Sequence, residues 1–91
     1  MATIASWLKI DGEHVVQSLQ EAGAKLDSTD GEVVLDFSGV RRVDPAALKA
    51  LEELAGSADA KGLKVVLRGA NVDIYKVLKL ARLAPRFCFL S

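Results

Sequence analysis

Few side chains in this sequence are equipped for chemistry, and their spacing argues against catalysis. His14 is the sole histidine among 91 residues. It reads as an ordinary surface residue, since no nearby side chain in the sequence suggests a nucleophile–base pair. Cys88 is the sole cysteine and sits between Phe87 and Phe89, the setting of a buried, inert thiol. One cysteine allows neither an internal disulfide nor a cysteine-based zinc site, and a reducing cytoplasm is the default location. Beyond carboxylates, metal ligands are missing. Arg68-Gly69-Ala70-Asn71 lacks the spaced glycines and Gly-Lys-Ser/Thr ending of a phosphate-binding loop. It reads instead as a strand-to-helix turn capped by Asn71. The expectation is a protein that is not an enzyme and carries no cofactor.

Charge narrows the partners. Twelve basic and twelve acidic residues cancel, which argues against a nucleic-acid partner. The longest uncharged stretch is the first eight residues, far short of the ~20 needed to span a bilayer, so direct membrane insertion is not expected. Met1–Leu8 also lacks the basic start and cleavage site of a signal peptide. The neutral total hides an asymmetry. Residues 1–45 carry four bases against eight acids, a net −4, and residues 46–91 carry eight bases against four acids, a net +4. Part of that excess recurs every three residues as Lys76, Lys79 and Arg82, with Arg86 beyond. The stripe reads as a solvated helix face near a C-terminus, or as a contact for an acidic partner. Arg41 and Arg42 carry a similar double reading: pairing with Asp36 or Asp44, or framing a docking edge. Asp36 itself reads as a loop-fixing acceptor of backbone hydrogen bonds.

The elements that must position these residues alternate. Ile4, Ser6, Leu8 and Ile10 set a period of two, which predicts a first strand. Asp11 then caps a helix whose apolar face is Val15, Val16, Leu19, Gly23 and Leu26. Ser28-Thr29-Asp30-Gly31 is turn chemistry before an apolar strand at Glu32–Phe37, expected to lie centrally or to be covered on both faces. After an irregular Ser38–Val43, Asp44-Pro45 marks a helix start: an acidic N-cap with proline at the first helical position. Leu48, Leu51, Leu54, Ala55 and Ala58 share the inner side of that helix, while Ala46 points outward beside Lys49 and Glu53. Gly62 ends it, and Leu63–Arg68 repeats the buried-strand pattern. A third helix is predicted near residues 72–83, with Val72, Tyr75, Leu78 and Leu83 available to the core. Pro85 stops it before a last strand at residues 87–90. The order βαβαβαβ predicts one α/β (α+β) domain over residues 1–91, about four strands in a mixed sheet with three helices.

Three segments in order carry a family resemblance. They are Val33-Val34-Leu35-Asp36-Phe37-Ser38-Gly39-Val40, Val43-Asp44-Pro45-Ala46-Ala47-Leu48 and Gly62-Leu63-Lys64-Val65-Val66-Leu67. Together they resemble the STAS domain of anti-sigma-factor antagonists and of sulfate-transporter tails. In antagonist members a serine or threonine just inside the helix start is phosphorylated by a partner kinase, which releases that partner. The matching positions here are Pro45, Ala46 and Ala47, and none has a hydroxyl. Residues 67–80 are similar to a second branch, the small STAS subunits of the bacterial ABC transporter that maintains lipid asymmetry. The resemblance implies a docking module that uses Arg41, Arg42, Asp44, Pro45, Ala46, Ala47 and Lys49. The function implied first is an anti-sigma-factor-antagonist-like regulator without the usual phosphoacceptor, whose partner is an anti-sigma kinase. The alternative is a cytoplasmic accessory subunit of a phospholipid-transport ABC transporter, whose partner is its ATPase subunit. A small-ligand or nucleotide binder is the third reading.

Overall fold

The computed structural model describes residues 6–28 and 31–90. Ile4 and Ala5 of the expected first strand, and Thr29 and Asp30 of the turn, lie outside the described residues. The elements run β1 (Ser6–Lys9), α1 (Val15–Lys25), β2 (Glu32–Asp36), α2 (Pro45–Lys61), β3 (Lys64–Arg68), α3 (Val72–Leu80) and β4 (Cys88–Leu90). Short 3₁₀ turns at Leu26–Ser28 and Ala84–Arg86 precede β2 and β4. This is the βαβαβαβ order.

The sheet has spatial order β1-β2-β3-β4, and every neighbouring pair is parallel. The expected mixed sheet is therefore corrected to a parallel one. A helix separates each strand from the next, so every connection is a crossover that returns the chain in the same direction. Stepping always to the next position with right-handed crossovers places all three helices on one face. Leu8, Leu35, Leu67 and Phe89 share one register row, and Trp7, Val34, Val66 and Cys88 the neighbouring row. In-register residues of parallel strands point to one face, and successive residues to opposite faces. Leu35 and Leu67 enter a core shared with Leu19 of α1, Leu51 of α2 and Ile74 and Leu78 of α3.

The second row faces away from the helices, which corrects two expectations. Cys88 is exposed rather than buried, because alternation sends Phe87 and Phe89 to the helix side and the thiol to the other. Val34 and Val66 are buried outside the main core by their position in the two central strands. On this face Arg68 lies over the Trp7 ring, 5.2 Å from its centroid.

Helix boundaries follow local chemistry at α2. Asp44, in extended backbone, accepts the Ala47 N–H at 2.8 Å, and Pro45 occupies the first turn. At the other end Gly62 adopts φ 70°, its N–H bonding the Asp59 carbonyl while Leu63 N–H bonds that of Ala58. Those two bonds form the glycine-closed Schellman motif. α1 departs from expectation, beginning at Val15, with Asp11 outside the helix. The Asp11 carboxylate accepts the Glu13 N–H at 2.9 Å and approaches His14 Nδ1 at 3.2 Å, a local turn instead of a cap.

α3 also departs. Ile74 and Leu78 are its buried residues, whereas Val72 and Tyr75 are exposed. The helix ends at Leu80, before Pro85 is reached, because Arg82 turns left-handed at φ 62°. Leu83 is buried after that turn, as expected.

Candidate functional site

Each helix follows its strand, so the starts of α1, α2 and α3 gather along the carboxyl edge of the sheet. The connection from β2 to α2 is irregular yet firmly seated. Val40 and Val43 are buried, which turns Arg41 and Arg42 between them outward. Asp36 accepts the Ser38 N–H at 3.0 Å, the expected loop-fixing role. That backbone bond is the main reason its carboxyl lies below its ordinary pKa, with the Ser38 side chain adding to it and Arg68 contributing less. Phe37 N–H bonds the Arg68 carbonyl at 2.7 Å, which continues the β2–β3 ladder into the loop.

Two contacts lock the three strand-to-helix loops together. A Cβ added to Gly12 would stand 2.1 Å from the Gly39 carbonyl oxygen, so only glycine fits where these two loops touch. Asn71 caps α3 through Oδ1 to the Ile74 N–H at 2.8 Å, and its Nδ2 donates to the Arg41 carbonyl at 2.9 Å. The start of α2 is thus held from both sides.

Of the proposed docking residues, Asp44, Pro45, Ala46 and Lys49 are exposed around the first turns of α2. Ala47 is buried at 1% exposure, so it shapes that turn from beneath and presents no surface. Neither Arg41 nor Arg42 forms the expected pair with Asp36 or Asp44. The nearest cation to Asp36 is Arg68 at 4.0 Å, and the Asp44 carboxylate is turned into its own helix. Both arginines instead line an open cavity of about 950 Å³ with Lys9, Asp11, Glu13 and the Gly12–Gly39 contact. Sequence reasoning missed this cavity. Its one signal was Asp11-Gly12, turn chemistry placed directly after a strand. Three cations face two carboxylates there, which suits a mixed-charge protein surface better than a dedicated anion site.

The basic stripe divides. Lys79 and Arg82 line a cleft between α3 and β4, while Lys76 is exposed on a neighbouring face of the helix. Arg86 is engaged by Asp59 of α2. Among the described residues no three potential metal ligands cluster, and no helix is long and apolar enough to cross a membrane.

Comparison with known proteins agrees with this architecture. The family model described as "Mlab, STAS domain" matches residues 7–87. A search of curated proteins found no match. Among solved structures, the STAS domain of a SulP transporter from Vibrio cholerae aligns with TM-score 0.78 at 18% identity, covering 98% of this chain and 75% of that one. A sulfate transporter family protein from Wolinella succinogenes gives 0.77 at 19%, covering 98% and 80%. A putative anti-sigma factor antagonist from Thermotoga maritima gives 0.67 at 17%, covering 96% and 73%. Identities this low speak for shared fold.

Proposed function

This chain belongs to the STAS domain family, and from that premise we propose that it is a non-enzymatic, cytoplasmic docking module over residues 1–91. It binds another protein through the start of α2 and the Arg41–Arg42 loop. The observation that carries this reading is the surface around Ala46. A short apolar patch of Pro45 and Ala46 is exposed between the cations Arg41, Arg42 and Lys49, on a helix start braced by Gly12 and Asn71. A rigid, exposed, mixed apolar and charged rim is what a protein partner can recognise. Because Pro45, Ala46 and Ala47 carry no hydroxyl, docking there is not switched by phosphate at these positions.

The resemblance of the Leu67–Leu80 stretch to the STAS subunits of the lipid-asymmetry transporter supports one partner class, and the matching family model spans that stretch. An ATPase subunit of an ABC transporter is therefore the first partner to test. An anti-sigma kinase is the second, supported by the fold shared with an anti-sigma factor antagonist.

The test is binding of purified chain to an ABC transporter ATPase subunit and to an anti-sigma kinase. Ala46→Glu should leave the melting temperature nearly unchanged, because the position is exposed and a negative charge near a helix N-terminus is mildly favourable. It should weaken binding by about 2 kcal/mol, since an unpaired carboxylate is desolvated at the contact. Lys76→Glu should alter binding only modestly. Normal binding by Ala46→Glu together with loss in Lys76→Glu would move the interface away from α2.

A further inference from the structure

The cleft between α3 and β4 has features that the fold alone does not require. Tyr75 and Phe89 meet edge to face across it, with centroids 5.0 Å apart and planes at 82°. They are shared by two adjoining cavities. One, of about 210 Å³, runs toward Val72 and Leu90, which are 66% and 54% exposed. The other, of about 510 Å³, runs toward Lys79 and Arg82. An exposed apolar strip with a cationic end therefore borders the last strand of the sheet.

The cations are available. Among the described residues neither Lys79 nor Arg82 pairs with a carboxylate, whereas Lys61 is held by Asp27 and Arg86 by Asp59. Arg82 also stands where a glycine would close the helix with less strain. Its N–H bonds the Lys79 carbonyl at 3.1 Å while Leu83 N–H bonds that of Leu78 at 2.8 Å. Gly62 makes the same pair of bonds at the end of α2, at φ 70° against 62° for Arg82. A side chain is strained in that region. Here it holds a guanidinium at the rim of the cleft.

We propose that the α3–β4 cleft is a second docking surface, which takes an acidic, amphipathic segment of a partner protein. Two apolar side chains of the segment sit on either side of the Tyr75–Phe89 pair, one in each cavity. Its carboxylates meet Lys79 and Arg82, completing charges that this chain leaves unmatched. A short protein segment suits the open, divided shape, and the inference stands independently of what binds at α2.

The probe is a short acetylated peptide that places paired Leu and Phe among Glu and Asp, titrated into ¹⁵N-labelled protein and followed by amide shifts. Expected are shifts confined to α3, the Arg82 turn and β4, saturating at or below about 1 mM. Lys79→Glu and Arg82→Glu should each weaken binding about tenfold or more, with Lys64→Glu as a control of equal charge change that leaves it intact. Melting curves should show both cleft variants folded. Absence of shifts, equal binding of a peptide with Lys in place of its acids, or shifts centred on α2 would overturn the proposal. So would decanoate binding the same residues more tightly than the peptide, which would make the cleft a fatty-acid site. Concentration-dependent self-association through these residues would overturn it as well, by making the occupant a second copy.

Discussion

The Asn71 side chain donates from Nδ2 to the Arg41 carbonyl at 2.9 Å, across thirty residues of sequence, while its Oδ1 caps α3. One amide thus fixes the start of a helix and the loop that carries the candidate docking arginines.

The two bonds are separable. Asn71→Ala loses both and should cost about 1–2 kcal/mol, the sum of a lost cap and a lost neutral hydrogen bond. Asn71→Asp keeps the acceptor and loses the donor, so it should fall between the wild type and the alanine variant. Urea denaturation followed by circular dichroism reads both. An aspartate variant as stable as the wild type in about 1 M salt, where the favourable charge at the helix start is screened, would mean that the bond to Arg41 contributes nothing to the fold.

Gly12→Ala should destabilise by about 1–3 kcal/mol, as overpacking does in a tightly packed contact. The added methyl would meet a backbone carbonyl at 2.1 Å, and a carbonyl cannot rotate away as a side chain could. The carboxyl-edge loops must then separate, so the largest amide shift changes should appear at Gly39 and Val40. A melting temperature unchanged within error would show that these loops do not need to touch.

At the other end of the fold, Arg82→Gly should raise stability by about 0.5–1 kcal/mol. Relief of left-handed strain is partly offset by the greater freedom of glycine in the unfolded chain. Thermal melts check the sign, with Gly62→Ala as the converse variant, expected to lower it.

Acid should destabilise the protein through three carboxylates held below their ordinary values. The leading cause is the Glu13 N–H for Asp11, the Lys61 side chain for Asp27 and the Ser38 N–H for Asp36. A carboxyl lowered by folding contributes stability that is present above its unfolded pKa, near 4, and is lost as pH falls through the folded value. Stability should therefore decline on acidification below about pH 4–5. Asp36→Asn should flatten part of that slope in urea midpoints measured across pH. Added salt should weaken the exposed Asp27–Lys61 contribution most, because it alone rests mainly on a solvated charge pair. A pH profile identical in Asp36→Asn and wild type would remove Asp36 from this account.

What the sequence determined was whatever depends on residues a few positions apart. Asp44-Pro45, Gly62 and Asn71 mark helix ends because a cap bonds an N–H or carbonyl within its own turn. The apolar runs at Val33–Leu35 and Val65–Leu67 mark central strands because those residues are surrounded on both sides by neighbours in the sheet. Ala46 faced outward on the helix wheel and is exposed, since that angle is fixed by the helical repeat. Tertiary structure decided what depends on distant partners. The burial of Ile74 in place of Tyr75 is set by where Asn71 starts its helix against the sheet. The exposure of Cys88 follows from the face of a sheet whose helices all lie on the other side. Arg82 terminates α3 although no glycine announces a stop there. Asp11 does not cap α1: its carboxylate accepts the Glu13 N–H in a local turn, beside a Gly12 that is pressed against Gly39, a contact between loops more than twenty-five residues apart. Such contacts are specified by shape at the point where chain segments meet, and spacing along one segment carries no record of the other.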